Sequence, residues 1–298
     1  MPDLLIHPET SDSRQNGVVL DVSPQRAGWK LLGFSARRLK TGQVWSGETG
    51  GNEHCLVLQS GTCRISFNGG PEQQMGPRAG VFAGYPHAAY LPLDTRFRLL
   101  AVEDCEIAEG FCPARKSFPP RVIRPEDCGY EIRGGGNATR QIVDVMPPDF
   151  PADRLLVCEV YTPSGNWSSY PPHKHDQDRP PREVKLEEFY YYRFAQSEAY
   201  GFQRVYTGDG SMDETVRVTD QDLMLIPRGY HPFVTAYGYD AYYLNFLAGE
   251  HRSMSSSDDP QYAQLKAWPS PDPRLPVVEP PYVPGVVESQ AAGAESQS

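Results

Sequence analysis

The sequence lacks the features that define several large classes of protein. Its 298 residues contain no run of about eighteen apolar residues, which is the length that a membrane-crossing helix needs. The opening residues have no basic segment followed by an apolar run, so they do not resemble a secretory signal. We therefore expect no contact with membranes and a cytoplasmic location.

Positive charge is also scarce. The chain has 28 Lys and Arg against 38 Asp and Glu, which gives a net charge of -10. Proteins that bind nucleic acid or anionic membranes use clustered Lys and Arg to neutralise phosphates. We expect neither partner here, and a small molecule becomes the expected ligand. A homo-oligomer is compatible with this composition.

Cysteine pairs of the Cys-x-x-Cys kind are absent, although the chain has six cysteines. Such pairs chelate zinc or shuttle electrons, so neither role is expected of these residues. We predict reduced, structural thiols at the scattered positions Cys55, Cys63, Cys105, Cys112, Cys128 and Cys158.

No strong helical period occurs, and this absence favours an all-β chain. Glycine (27) and proline (29) punctuate short runs rich in Val, Tyr, Phe, Leu and Ile. In the first half we predict strands at 54–58, 63–67, 80–83, 88–91 and 97–102. In the second half we predict strands at 155–161, 188–194, 201–206, 215–218, 223–226, 233–236 and 241–246.

The length fits two β-barrels of about 100 to 130 residues each. The proline-rich stretch 118–127 cannot pair through its prolines and is expected to link the two units. We place an N-terminal barrel at 1–135 and a C-terminal barrel at 136–255. Residues 256–298 are expected to form a Pro-rich extension that wraps the barrel and ends in a disordered tail.

Three histidines and a carboxylate form the candidate metal site. His173 and His175 lie two residues apart, so on an extended strand both side chains project to one side. Glu188 begins a run of aromatic residues, where a carboxylate is costly to bury unless a positive charge neutralises it. His231 follows the strand 223–226 and a Pro-Arg-Gly-Tyr turn that would return it to the other three.

Each of these residues also has an ordinary structural explanation. The two paired histidines could belong to a polar loop, and a histidine before proline is often structural. Glu187 would face the opposite surface from Glu188, so the register decides which of them is the ligand. We favour Glu188, because Tyr190, Tyr192 and Phe194 then share its face and could line a barrel. Imidazole and carboxylate ligands suit one divalent Zn, Mn, Fe, Ni or Co ion, and zinc is our first prediction.

Longer strings carry a family resemblance. The chain resembles the 5-deoxy-glucuronate isomerases, the aldose-ketose isomerases of bacterial myo-inositol breakdown, over nearly its full length. The motifs are Ala27-Gly-Trp-Lys-Leu-Leu-Gly33, Gly50-Gly-Asn-Glu-His-Cys-Leu-Val-Leu58, the stretch 163–176 around His-Lys-His, Leu186-Glu-Glu-Phe-Tyr-Tyr-Tyr-Arg-Phe194 and Ile226-Pro-Arg-Gly-Tyr-His-Pro-Phe233.

This resemblance implies a two-cupin fold with one metal ion in the C-terminal barrel. The family's ligands map onto His173, His175, Glu188 and His231. The implied reaction converts 5-deoxy-D-glucuronate to 2-deoxy-5-keto-D-gluconate and needs no redox cofactor. An ion there would stabilise the enediolate as a Lewis acid.

Other groups must handle protons and the substrate carboxylate. Tyr190 and Tyr192 share the predicted face of Glu188 and could donate to a substrate oxygen. A guanidinium suits a carboxylate, and Arg182 and Arg228 lie next to the ligand segments in sequence. The sequence singles out no base. Two other functions stay open at this point, a non-catalytic sugar-acid-binding cupin and an iron-dependent cupin dioxygenase.

Overall fold

The computed structural model describes residues 4–8, 17–266 and 270–281. Nearly all of its regular structure is β-strand, which confirms the all-β prediction. One short helix, α1 (Pro24–Ala27), begins after the capping hydroxyl of Ser23 and ends at Gly28 in the left-handed conformation. In the described part of the chain, three 3₁₀ turns lie at Val81–Ala83, Pro125–Asp127 and Ala263–Lys266.

The strands are short and follow one another closely along the chain. Those up to residue 133 are β1 (Leu5–Ile6), β2 (Val18–Val22), β3 (Gly33–Leu39), β4 (Val44–Glu48), β5 (Asn52–Phe67), β6 (Gln73–Arg78), β7 (Ala88–Leu91), β8 (Arg96–Ala101), β9 (Cys105–Pro113), β10 (Arg121–Ile123) and β11 (Gly129–Arg133). Those that follow are β12 (Arg140–Met146), β13 (Leu155–Thr162), β14 (Trp167–Ser168), β15 (His173–Lys174), β16 (Glu187–Phe194), β17 (Gly201–Tyr206), β18 (Asp213–Val218), β19 (Leu223–Ile226), β20 (Phe233–Thr235), β21 (Ala241–Ala248) and β22 (Ser257–Asp258).

These strands form two large antiparallel sheets and two small ones. A nine-stranded sheet contains β2 to β10. A seven-stranded sheet runs in the order β1-β19-β16-β21-β13-β12-β11, and a four-stranded sheet runs β14-β20-β17-β18. Strand β15 pairs with β22. The site-bearing strands β15, β16 and β19 are therefore all in the second half, as the sequence pattern predicts.

The seven-stranded sheet is covered on both faces, so its strands are apolar on both. One face packs on the nine-stranded sheet, where the ring of Phe34 lies 5.1 Å from that of Tyr191 and 6.0 Å from that of Phe246. Gly110 is required there, because a Cβ would overlap the ring of Phe246. The other face carries Tyr190, Tyr192 and Phe194 toward the four-stranded sheet, in a second apolar cluster. The candidate site lies on this second face.

Several local predictions were wrong for identifiable reasons. The strands predicted at 54–58 and 63–67 are one strand, β5, which runs for sixteen residues with two register shifts and has Gly61 at a φ of +90° between them. Residues 81–83 form a 3₁₀ turn instead of a strand. The proline-rich stretch does pair, because Arg121–Ile123 lies between its prolines and adds an edge strand beside β7.

Sheet membership does not follow the expected division at residue 135. Strand β1 pairs with β19 in the seven-stranded sheet, and β11 pairs with β12 across that position. The division into an N-terminal barrel, a C-terminal barrel and an extension stays a prediction, as does the count of two barrels. In the extension, the backbone N–H groups of Val277 and Val278 donate to the side chain of Gln141, so this segment lies against the second unit. The expected disordered tail lies outside the described residues.

All six cysteines are free, which confirms the prediction of reduced thiols. Five are buried and Cys128 is partly buried.

Candidate metal centre

Three histidines converge beside the face of the seven-stranded sheet that carries Tyr190, whose ring centroid lies 6.0 Å from that of His231. The ring centroids of His173 and His231 lie 4.7 Å apart, and those of His175 and His231 lie 5.1 Å apart. One ring nitrogen from each histidine lies within 4.8 Å of those from the other two. His173 is fixed by the pairing of β15 with β22, and His175 is the first residue after β15. The structure thus brings together residues separated by up to 58 positions.

Glu188 lies beside the histidines and is almost completely buried, at 1% exposure. Its Oε2 lies 2.8 Å from Nε2 of His175 and 3.4 Å from Nε2 of His231. Its Oε1 accepts a hydrogen bond of 2.8 Å from the side-chain amide of Asn245. Burial alone would raise the pKa of Glu188, but the neighbouring His175 and His231 outweigh it and lower the pKa. The carboxylate is thus held in its charged form.

His231 shows the clearest sign of an unsatisfied ligand atom. Its Nδ1 lies 3.0 Å from the carbonyl oxygen of Gly229, a contact that places the ring proton on Nδ1. Its Nε2 then carries a lone pair, yet this atom is buried and has no hydrogen-bond partner among the described residues. Burial lowers the pKa of His231 and of His173 and so favours their neutral forms, whereas at His175 the charge of Glu188 outweighs burial and raises the pKa. Neutral imidazoles beside a carboxylate suit a divalent transition-metal ion.

Glu187 points away from this cluster. Its carboxylate accepts three hydrogen bonds of 2.8 to 2.9 Å from the backbone N–H groups of Lys30, Leu31 and Leu32. Adjacent residues on β16 therefore serve opposite faces, as the alternation of strand side chains requires. Of the two glutamates, Glu188 is the one that the structure places with the histidines.

Lys174, between the two histidines, is held by two ion pairs. Its Nζ lies 2.5 Å from Asp176 and 2.8 Å from Glu183, a buried carboxylate. Asp176 in turn accepts from the backbone N–H of Gly229, two residues before His231. This chain of contacts connects the segment that carries His173 and His175 with the turn that carries His231.

The histidine cluster opens into a cavity of about 460 Å³. His173, His175, Glu188 and Tyr190 line it. Tyr190 is buried, and its hydroxyl lies 3.2 Å from Oγ of Ser169. Tyr192 does not line this cavity, because its hydroxyl donates to the side chain of Gln203 instead, at 2.6 Å.

The two arginines singled out in the sequence lie elsewhere. Arg182 and Arg228 are exposed, and neither lines the cavity. Nη2 of Arg228 donates to the hydroxyl of Ser211 at the surface. Nearness to the ligand segments in sequence is a poor guide here, because the loops carry both side chains outward. We therefore leave them out of the proposal below.

Sequence reasoning missed several cavity residues, among them Arg140, Asp144, Tyr243, Asn245, Asp258 and Lys266. The strand β12, which carries Arg140 and Asp144, was not predicted at all, although its β-branched residues Ile142, Val143 and Val145 could have indicated it. Asp258 and Lys266 belong to the C-terminal extension, and no local pattern predicts that an extension returns to a cavity.

The comparisons agree with this architecture. The KduI/IolB family model matches residues 4–265. The 5-deoxy-glucuronate isomerase of Geobacillus kaustophilus is 43% identical over 259 residues, which cover 87% of this chain and 94% of that protein. The crystal structure of an IolB-like protein from Salmonella typhimurium is 35% identical with a TM-score of 0.83, and the match covers 88% of this chain and 99% of that one.

A more distant likeness concerns the fold alone. An oxalate decarboxylase mutant from Bacillus subtilis has a TM-score of 0.62 at 12% identity, over 87% of this chain and 80% of that one. Across the described ranges, no helix is long and apolar enough to span a bilayer. Fold and site together define a cupin-like β protein with a histidine cluster that could hold a metal ion. The chain belongs to the KduI/IolB family.

Proposed function

We propose that this chain is a metal-dependent aldose-ketose isomerase that converts 5-deoxy-D-glucuronate to 2-deoxy-5-keto-D-gluconate in myo-inositol catabolism. One observation carries the proposal: a cluster of three histidines and a buried carboxylate opens into a cavity, in a chain 43% identical to a 5-deoxy-glucuronate isomerase. The family supports the isomerase activity, and the site supports chemistry that is assisted by a metal ion.

His173, His175, Glu188 and His231 would hold one divalent ion, with zinc as our first prediction and Mn, Fe, Ni or Co as the alternatives. Such an ion supplies Lewis-acid stabilisation of the negative charge that develops on the substrate oxygens. Asn245 positions this set, because its amide fixes Oε1 of Glu188 while Oε2 faces the histidines.

The reaction moves protons and leaves the overall oxidation level of the sugar unchanged. One proton leaves C2 and one is delivered to C1, while another passes between the two oxygens. Tyr190 can donate a hydrogen bond to a substrate oxygen, since burial raises the pKa of its hydroxyl and keeps it protonated. Tyr192 lies outside the cavity, so it acts at most through packing.

Asp144 is the group that we assign to the transfer of the proton between C2 and C1. Its carboxyl lines the cavity, and burial together with the nearby charge of Glu131 raises its pKa. A base of raised pKa is better matched to taking up and returning a proton near neutral pH. The backbone of Asp144 on β12 lies opposite that of Cys158 on β13.

One assay tests the function. The metal-loaded protein is incubated with 5-deoxy-D-glucuronate under nitrogen, with and without a chelator, and ketone formation is followed. Turnover without oxygen that is lost on chelation is the expected result. No turnover by metal-replete protein would remove the isomerase proposal and leave a binding role. Strict dependence on oxygen and iron would favour a dioxygenase instead.

Other parts of the proposal rest on the same identification. We propose that the two sheet systems form two cupin barrels and that the protein works in the cytoplasm on a small sugar acid. Light scattering measures whether it forms a homo-oligomer.

A further inference from the structure

A buried arginine in the wall of the cavity has almost no partners. Arg140 is 5% exposed and lies at the start of β12, facing the same cavity as the histidines. Its guanidinium makes one long hydrogen bond, of 3.4 Å, to the backbone oxygen of Tyr170. In residues 4–8, 17–266 and 270–281, no carboxylate lies within ion-pair distance of it.

One protein acceptor leaves most of this guanidinium unmatched. A guanidinium has five N–H donors, and the long bond to the backbone oxygen of Tyr170 uses one of them. Burial also lowers the pKa of Arg140. The buried Arg78 is paired with a carboxylate, because it donates two hydrogen bonds to Glu159, of 2.8 and 2.9 Å. Arg140 has no such carboxylate partner among the described residues, which indicates that its partner is a ligand.

Arg133, the neighbour of Arg140 on the next strand, differs from it in both exposure and ion pairing. The two residues are register partners on β11 and β12, and both line the cavity. Arg133 is half exposed and forms an ion pair with Glu131. Of this pair, Arg140 is therefore the guanidinium that is both buried and available to a ligand.

We propose that Arg140 binds the carboxylate of the substrate and so orients the sugar chain with its other end toward the histidines. A carboxylate matches the planar fork of a guanidinium with two parallel hydrogen bonds. The backbone oxygen that Arg140 contacts belongs to Tyr170, three residues before His173, so the anchor and the histidine segment are connected. The identity of the substrate rests on the proposed function, whereas binding of an anionic sugar by Arg140 does not depend on it.

Two variants and a control test the anchor in the metal-loaded protein. Arg140→Met removes the charge at similar volume, and Arg140→Lys keeps the charge without the fork. Arg64→Met alters a half-exposed arginine on β5, far along the chain from the cavity. With 5-deoxy-D-glucuronate, Arg140→Met is expected to raise KM about 100-fold, since charge-assisted hydrogen bonds are lost, with kcat changed much less. Arg140→Lys should recover part of the loss, and Arg64→Met should match the parent.

Calorimetric binding of D-glucuronate and of its neutral analogue D-glucuronamide gives a second readout. The parent should prefer the anion by about 30-fold, and Arg140→Met should bind both equally. This preference would survive even if the parent failed to isomerise 5-deoxy-D-glucuronate, so failure of the anchor and failure of the function are distinguishable.

Thermal melting of Arg140→Met should show no loss of stability, because no native ion pair is removed. An unchanged KM or an unchanged preference for the anion in Arg140→Met would overturn the inference, as would equal binding of both probes by the parent.

Discussion

Glu187 and Glu188 are adjacent in sequence but serve opposite faces of strand β16. The carboxylate of Glu187 accepts three backbone hydrogen bonds from residues 30–32, and that of Glu188 lies 2.8 Å from His175. One glutamate thus fastens a loop of the first half to the second, and its neighbour faces the cavity. The two should respond to mutation in different ways.

Glu188→Gln should weaken metal binding more than 100-fold and leave the melting temperature close to that of the parent, because only the cavity face loses a charge. Glu187→Ala should do the reverse. It should retain metal and lower the free energy of unfolding by about 1–3 kcal/mol, since three backbone donors lose a charged acceptor. Metal titration and urea unfolding of both variants check this. Loss of metal from Glu187→Ala in folded protein would contradict the assignment.

His175→Ala should abolish both metal content and turnover without unfolding the protein. Its ring lies at the cavity and contacts Glu188, but the large apolar clusters do not include it. Elemental analysis and circular dichroism measure the two effects separately. His251→Ala is a suitable control, because His251 is exposed and lies outside the cavity. Global unfolding of His175→Ala would mean that the site has a structural role.

Asp144→Asn should lower kcat by about 100-fold or more at unchanged metal content, as expected for a lost general base. The sign of the pH effect follows from the raised pKa of Asp144. A base must be deprotonated, so kcat of the parent should fall as the pH drops, with a midpoint above the ordinary aspartate value of about 3.9. The acidic limb should disappear in Asp144→Asn. A variant with parental kcat and an unchanged pH profile would exclude this role.

Arg78→Met should be among the most destabilising single changes outside the site. Arg78 and Glu159 are both almost completely buried and form an ion pair of 2.8 Å between the nine-stranded and seven-stranded sheets. Removing one partner leaves a buried, unpaired carboxylate, which costs about 3–5 kcal/mol. Chemical unfolding monitors this loss. The paired change Arg78→Met with Glu159→Leu should recover much of it, and equal instability of the single and double variants would contradict the explanation.

Much of the second half could be predicted from its sequence, because its strands combine strong alternation with clear breaks. The placement of Glu188 on one face with Tyr190 followed from the period of two alone. The convergence of His231 with His173 could be expected only from ligand chemistry and the family resemblance. The alternation of residues along one strand says nothing about a contact between residues 58 positions apart.

The remaining features depend on tertiary contacts that a local pattern does not encode. Gly61 separates two predicted strands in the sequence but accommodates a bulge in one long strand, and sequence alone does not distinguish a turn from a bulge. Among the described residues Arg140 has no ion-pair partner, because no carboxylate lies within ion-pair distance of it in the folded chain, and the sequence does not show which residues will surround it. The pairing of β1 with β19 depends on the sheet edge that β19 leaves open, which becomes visible only once the sheet is assembled.

The central claim is that His173, His175, Glu188 and His231 bind one metal ion together. The most direct measurement is an anomalous-scattering map from a crystal of metal-loaded protein, recorded at the absorption edge of the metal found by elemental analysis. We expect one peak, within about 2.0–2.3 Å of a nitrogen of each histidine and an oxygen of Glu188. An empty map at this position in a metal-loaded crystal, or a peak bound by other residues, would contradict the account.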